Sequence, residues 1–513
     1  MKLLKTIIAA TLAAACVLPA QAADKTMSTD IVVLGAGCGG TSASVAAQEL
    51  GAKVILLEKQ GITGGTCKFS EGIMAVESKM QRDWNYGLTK DDAFQRIMRY
   101  GHWRGNGRVV RAFVEKTAST IDWMQGNGVK FEKLFSNYPD GLYTWHIYEG
   151  RGAGWLAKYQ DKFVKNGGTL LLNTPATDLI QGSDGVVRGV IAKNKDGDKI
   201  TINAKAVIIA TGGFGANEAM KKKYLRFPGV DGLAQTGKTG DGIQMAWKAG
   251  AAEDGVEVQA SYRPGPKGVG TTNQVAASAK QPHLWLNPEG DRFVDETVML
   301  EWPFAGNALE RNGGKMWVVY DQATLDYMKN EGIDLGVGVM VPVATKLTKF
   351  DSEWDAAEKA GWAKKANTLD ELAKMTGMHA DVLKKNVAEY NHWADIRHDG
   401  LFAKNPKYIR HVNKAPYYAI QLVATSLGTL GGIKIDDKWE VVRKDDSPIK
   451  GLYAAGNDAG GMYGDSYDLL MAGSTIAWAV NGGRIAAENA VKYPLWLCFL
   501  CNYILPQGFA MDF

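Results

Sequence analysis

Cysteine is scarce in this chain, with five among 513 residues. That excludes a disulfide framework as the basis of the fold. Cys498 and Cys501 stand in "CFLC", but Asn502 follows them, and no C-x-x-C-H occurs anywhere, so a c-type haem is excluded too. The net charge is only +4, and no basic stretch interleaved with aromatics appears, which speaks against a nucleic-acid partner. There is no low-complexity linker, no internal repeat, no twin arginine and no cluster spaced for a metal. No segment promises stable membrane insertion: the apolar ending "YPLWLCFLCNYILPQGFAMDF" is too short and too bounded by proline to span a bilayer. That stretch, residues 494–513, differs in character from all that precedes it.

The chain is otherwise rich in glycine, with 60 residues gathered in clusters such as "GAGCGG", "TGGFG" and "DAGGMYGD". Glycine allows tight turns and close approach of backbone to a ligand. A hydrophobic share of 46% and a charged share of 22% fit a globular protein of two or three domains. Lys2 and Lys5, an apolar run, and Ala20-Gln21-Ala22 read as a secretory signal peptide over residues 1–22, which places the mature chain in the periplasm.

"DIVVL" at 30–34 is a short β-branched run, "TSASVAAQELGA" has helical spacing, and "KVILLE" is a second strand, which together make a β-α-β unit. "GTLLLN" and "AKAVIIATGG" add strands, and residues 185–204 form a hairpin turning at Asp196-Gly197. The alternation predicts an α/β fold with a doubly wound, Rossmann-like sheet. Residues 256–404 mix strands ("HLWLN", "KMWVVYD") with helices ("DSEWDAAEKAGWAKKA", "TLDELAKMTG", "ADVLKKNVAEYNHWAD"), and "GIKID", "GLYAAGN" and a long helix then return to the first style. The expected organisation is a nucleotide-binding domain (24–255 and 405–493) interrupted by an α+β capping domain (256–404).

Gly35, Gly37 and Gly40 form G-x-G-x-x-G between a strand and a helix. The first makes the turn, the second admits a pyrophosphate, and the third lets helix and strand pack. Glu58 ends the second strand, eighteen residues after Gly40, placed to accept from ribose hydroxyls, and Lys59 follows it. "GGTCKFSEG", "ATGGFGAN", "TGDG" and "GLYAAGN" spread further cradle segments along the chain, which favours the long FAD over NAD.

At these residues the chain resembles the flavoproteins of the fumarate reductase and succinate dehydrogenase family, in its soluble periplasmic branch with flavocytochrome c fumarate reductase and urocanate reductase. "ATGGF", "GDRFVDE", "TLGG" and "GLYAAGN" occur in the family's order between about Asp30 and Tyr493. The resemblance implies non-covalent FAD, a capping domain over the flavin, and reduction of an activated C=C bond. It further implies that Gly65, Thr66, Cys67, Ser70, Glu71 and Gly72 line the pyrophosphate and isoalloxazine, and that Ala176 offers backbone to the adenine. Ala210, Gly212 and Asp241 close the nucleotide side, Asn457 stands where the family has an acid, and Ser474 to Ile476 cover the flavin.

The departures from the family bear on the substrate. The family's proton-donating arginine falls at Leu300, a histidine position falls at Leu427 or Gly428, and a second arginine falls in a segment holding Tyr467 and Asp468. A dicarboxylate needs fixed cations, so fumarate is disfavoured and an enoate, enone or aryl-acrylate is expected. The candidate catalytic residues are Tyr467 as acid, Arg263 as carboxylate partner, and Glu301 as an acid if burial raises its pKa. Tyr262, Trp302 and Trp145 are candidates to stack an aromatic substrate, Arg292 reads as structural, and His283 as a domain-interface residue. The partner expected is an external electron donor such as a c-type cytochrome, in anaerobic respiration. Two rivals remain: a dehydrogenase of ketosteroid-dehydrogenase type, and a flavoprotein that carries electrons without catalysis.

Overall fold

A computed structural model describes residues 25–136, 141–233, 236–270, 272–338, 341–464 and 467–504, with side chains through 493. The leader read at 1–22, with Cys16, lies outside the described residues, and so do the side chains of the apolar tail, those of Cys498 and Cys501 included.

The first sheet has eight strands and is the α/β unit expected from the sequence. Lys25–Leu34 lies at its centre, between Val54–Leu57 and Lys199–Ile209, all parallel. Thr169–Leu171 and Pro448–Ala454 extend it in parallel on the two sides, and Glu440–Val442 adds an antiparallel edge. Ile31, Val32, Val33 and Leu34 are buried, as a parallel strand covered on both faces must be. The hairpin expected at 185–204 is present: Val187–Lys193 returns as Lys199–Ile209, with Lys193 opposite Lys199. Helix Cys38–Glu49 covers one face together with helix Ser474–Ile504. These two approach so closely that a Cβ on Gly483 would meet the Gly39 carbonyl oxygen at 2.3 Å.

The second sheet, of six strands, belongs to the capping region. Its centre is Tyr417–Thr429, which pairs with Lys315–Asp321, Ala363–Ala366 and Gln259–Gly265. Residues 405–429 were read with the nucleotide-binding domain; the strand Tyr417–Thr429 takes its pairing partners from this second sheet. A second correction concerns 351–366, read as one helix. The helix ends at Phe350–Lys359, Gly361 takes φ +87°, and Ala363–Ala366 becomes a strand. Gln421 N–H donates to the Trp362 carbonyl at 2.7 Å, so sheet pairing overrides helical propensity there. Helix Leu369–Thr376 begins with the capping box visible in its sequence, Thr368 and Glu371, and ends at Gly377 with φ +81°.

A third, three-stranded antiparallel sheet joins Gly72–Met74, Trp145–Tyr148 and Phe131–Phe135. It presents Glu71 toward the cap. Among the described residues no helix is long and apolar enough to cross a membrane.

Candidate active site

The cradle begins at the turn after Lys25–Leu34. Gly35 has φ +99°, and a Cβ there would lie 2.4 Å from the Ala210 carbonyl oxygen; a Cβ on Gly40 would lie 1.8 Å from the Gly35 carbonyl oxygen. No other residue fits at either point. Gly37, by contrast, would meet nothing within 4 Å, nor would Gly65. Both face open space beside the N-terminus of helix Cys38–Glu49, which has no side-chain cap on Gly37. Uncapped N–H groups beside an open cleft suit a pyrophosphate. The position also fits: the cleft opens at the carboxyl ends of adjacent parallel strands, where this architecture binds dinucleotides.

Glu58 Oε2 accepts from Ala36 N–H at 3.0 Å and its Oε1 from Gln60 N–H at 2.8 Å, which fixes the carboxylate at the edge of the cradle. Lys59 and Asp241 form an ion pair at 2.6 Å on the same side. Ala176 begins the strand that follows Thr174, whose N–H donates to the Glu58 carbonyl at 2.9 Å. Gly212 has φ +93°, and Ala210 directly follows the strand Lys199–Ile209. Ser70 Oγ donates to the Cys67 carbonyl at 2.7 Å and bonds the Tyr148 hydroxyl. Gly72 opens the third sheet opposite Ile147. Ser474 is buried beside the Tyr463 hydroxyl at 3.3 Å, and Ile476 follows in the same helix. Asn457 lies next to Gly213, with its Cβ 3.5 Å from where a glycine Cβ there would be.

Three features here were not read from the sequence. Cys38 and Cys67 form a disulfide, with Cα atoms 5.6 Å apart, so the chain does carry a bridge that its low cysteine count argued against. It fastens the dinucleotide helix to the turn Gly65–Phe69. Asp458, beside Asn457, is fully buried and accepts from the N–H groups of Gly212 at 3.0 Å and Gly213 at 2.9 Å, and from the Thr211 hydroxyl. It holds the "TGG" turn. Lys238 lies buried against Gly212 and donates to Thr66 Oγ1 at 2.7 Å. Burial lowers its pKa to about 8, offset in part by Asp458.

The second half of the site faces this cradle from the cap. The Arg263 guanidinium, on strand Gln259–Gly265, lies 4.2 Å from the Trp302 ring centroid and 5.0 Å from that of Tyr262. Tyr262 and Trp302 meet edge to face at 4.8 Å. Glu71 is close enough to feel Arg263; burial raises its pKa, against the pull of Arg151 and Arg263. Tyr467 is buried, and burial pushes its phenol up to about 12, against a hydrogen bond from Thr475 and with Tyr262 adding to the rise. Its carbonyl accepts from the Tyr100 hydroxyl at 3.1 Å. Arg263, Tyr262, Trp302, Tyr467 and Glu71 thus converge. Lys280, which the sequence reading passed over, joins them with its ammonium against Gly265.

Glu301 does not join them. Burial raises its pKa, but the charges it feels are Arg96 and Asp468, which form their own ion pair at 3.1 Å. Leu300 packs against the cap core. Arg292 is structural, as expected: its Nε donates to Glu296 at 2.8 Å and its Nη2 to Asp399 at 2.6 Å, while Lys404 reaches Glu296 at 2.9 Å. All four of these side chains are buried. His283 is buried inside the cap near the Met328 sulfur, and burial drives its pKa well down. Trp145 packs on Gly72, Gly473 and Phe135. Among the described residues no group of His, Cys, Asp or Glu is arranged to hold a metal.

An open dinucleotide cleft, with a cap carrying a cation and aromatic rings toward it, defines a flavin-dependent oxidoreductase. The family profile described as "FAD binding domain" matches residues 30–470, and the chain belongs to that family. It is 36% identical over 480 residues to the vinyl phenol reductase of Lactiplantibacillus plantarum, covering 91% of this chain and 97% of that protein. It is 29% identical to a fumarate reductase (cytochrome) of Shewanella frigidimarina, covering 91% of this chain and 77% of that one. Among solved structures, the open conformation of a flavocytochrome c3 fumarate reductase superposes with a TM-score of 0.71 at 25% identity, over 91% of this chain and 79% of that one. The cofactor is FAD, and the reaction class is oxidoreduction at carbon–carbon bonds.

Proposed function

We propose that this chain reduces the activated C=C bond of an enoate whose remaining substituent is apolar or aromatic, an aryl-acrylate type of substrate. The observation that carries this reading is the Arg263 group. The Arg263 guanidinium, seated on Trp302 and Tyr262 within 5.0 Å, offers a bidentate anchoring point for a carboxylate. The same two rings offer a face to an aromatic substituent. The second cationic anchor that a dicarboxylate needs has no counterpart at position 300, where leucine packs into the cap core. The 36% identity to a vinyl phenol reductase supports an aromatic alkene.

Bound FAD supplies the hydride that saturates the alkene. The chain's own residues do the rest. Gly35, Gly37 and the N-terminus of helix Cys38–Glu49 seat the pyrophosphate, and Glu58 takes the ribose. Arg263 orients the substrate carboxylate and draws electron density from the double bond. Tyr467, Tyr262 and Trp302 would exclude water from the reacting centre.

The proposed setting is the periplasm, after removal of the leader read at residues 1–22. The Cys38–Cys67 disulfide supports an oxidising compartment. An external donor, such as a c-type cytochrome, would reduce the flavin there, as a terminal step of anaerobic respiration. The test is anaerobic reoxidation of the protein, reduced with dithionite-reduced methyl viologen, by a panel of aryl enoates, enones and fumarate. Fast reoxidation by an aryl enoate and not by fumarate is expected. Reoxidation by fumarate at the same rate would overturn the substrate assignment.

A further inference from the structure

Saturating an alkene takes a proton as well as a hydride, and Leu300 has none to give. We propose that Lys280 is the proton donor of this site. The inference rests on the reductase reading above. Lys280 directly follows the short helix Gln274–Ala279, and its side chain runs inward to the strand that carries Arg263. A Cβ placed on Gly265 would lie 3.3 Å from Lys280 Cε and 3.4 Å from Nζ. The absence of a side chain at Gly265 leaves room for the lysine to lie against this strand. The residue is 5% exposed, and no hydrogen bond or ion pair joins its ammonium to another described residue. A buried ammonium without a partner is costly unless it serves a ligand.

The surroundings of the amine explain why it can act as an acid. The charge beside it is Arg263, a like charge. The carboxylate nearest to its own helix, Glu353, is engaged with the Gln274 N–H, and Tyr320 bonds Ser278. Glu71 faces Arg263 from the cradle side. Burial first, and Arg263 second, bring the Lys280 pKa down to about 7. An acid works best with a pKa near the working pH. The phenol of Tyr467 stands at about 12, that of Tyr262 is also raised, and Glu301 answers to Arg96 and Asp468 instead.

The chemistry balances with no added reagent. The hydride adds to one alkene carbon, and the electron pair of the double bond moves to its neighbour. That carbon takes a proton from the Lys280 ammonium, the N–H bond breaks, and the neutral amine later regains a proton from solvent. Arg263 stays charged throughout and holds the carboxylate.

The test is single-turnover reoxidation of the reduced, FAD-loaded protein by an aryl enoate, as a function of pH, in wild type, Lys280→Met and Lys280→Arg. The wild-type rate should fall as pH rises through about 7 and slow in heavy water. Both variants should lose about 10²–10⁴-fold and lose that pH limb, while FAD content and the substrate-induced change in the oxidised flavin spectrum persist. A second readout needs no turnover: competitive acetylation with acetic anhydride, mapped by mass spectrometry, should show Lys280 titrating near 7. If the wild type is reoxidised and Lys280→Met matches its rate and pH profile, the proton-donor role is refuted and the reductase reading stands. Titration of Lys280 at an ordinary lysine pKa refutes it equally. If no alkene reoxidises the wild type, the reductase reading falls and this role falls with it.

Discussion

Replacing both Cys38 and Cys67 by alanine tests the one covalent tie across the FAD cradle. The bridge closes a sequence separation of 29 residues. In the chain-entropy account a loop of that size restricts the unfolded chain by about 3–4 kcal/mol. Both sulfurs are buried, at 5% and 4% exposure, so alanine adds only a small loss of packing. The loss should appear as a drop on the order of 5–10 °C in the unfolding temperature of the nucleotide-binding domain. Excess FAD should raise the unfolding temperature of both proteins by mass action and leave most of the difference between them in place. The measurement is calorimetry of wild type, wild type with dithiothreitol, and Cys38→Ala/Cys67→Ala, each with and without FAD. Alkylation before and after reduction, read by mass spectrometry, counts free thiols. The wild type with reductant should unfold like the double variant. If Cys38 and Cys67 are both alkylated at once in the native, unreduced protein, or if the double variant unfolds within 1 °C of wild type, the reasoning is wrong.

Three further outcomes follow from buried charges. Glu296→Ala leaves Arg292 and Lys404 buried without their shared carboxylate, and should destabilise the cap by about 3–5 kcal/mol in urea unfolding; a cost under about 1 kcal/mol would mean the cations relax to water. Lys238→Met should weaken FAD retention by about 10–100-fold, the scale of a charged hydrogen bond, read by FAD fluorescence on dialysis; unchanged retention would remove Lys238 from the cradle. Glu310 is buried against Gln259 and Ser261, and burial pushes its pKa to about 7, above its unfolded value. Its protonated form is the stable one in the fold, so its contribution is complete at low pH and is lost as pH rises through about 7. Glu310→Gln should therefore gain on the wild type between about pH 5 and pH 8, by up to about 3 kcal/mol in denaturant midpoints. A difference that does not change with pH would show that Glu310 is solvated.

The parts of this fold that were legible in the sequence are those fixed by local chemistry. Gly40 must be glycine because of the Gly35 carbonyl five residues before it, and the hairpin at Asp196-Gly197 is equally local; Gly35 is legible from its place in the motif, although the carbonyl its Cβ would strike is that of Ala210. What the sequence concealed depends on pairing across distance. Ala363–Ala366 looks helical until Tyr417–Thr429 pairs with it, and that strand itself joins the cap only through its neighbours. Cys38 and Cys67 sit in separate glycine clusters with no spacing that signals a bridge. Nothing in the sequence singles out Lys280 or Lys238; their burial does. The spacing of Glu58 from Gly40 carried real information because strand, turn and helix lengths are nearly fixed in a β-α-β unit.

The buried quartet of Arg292, Glu296, Asp399 and Lys404 anchors the start of the turn Glu296–Leu300 from both sides of the cap. Leu300 takes no part in that anchoring. The turn is thus a mounting whose bolts are independent of the tool fixed to it. A change at 300 leaves the buried ion pairs intact and costs only the packing of one partly buried side chain on the cap core, so the residue type there can be exchanged while the main anchoring of the segment is kept. In a scaffold built this way, new chemistry is reached by walking through one position rather than by rebuilding a domain.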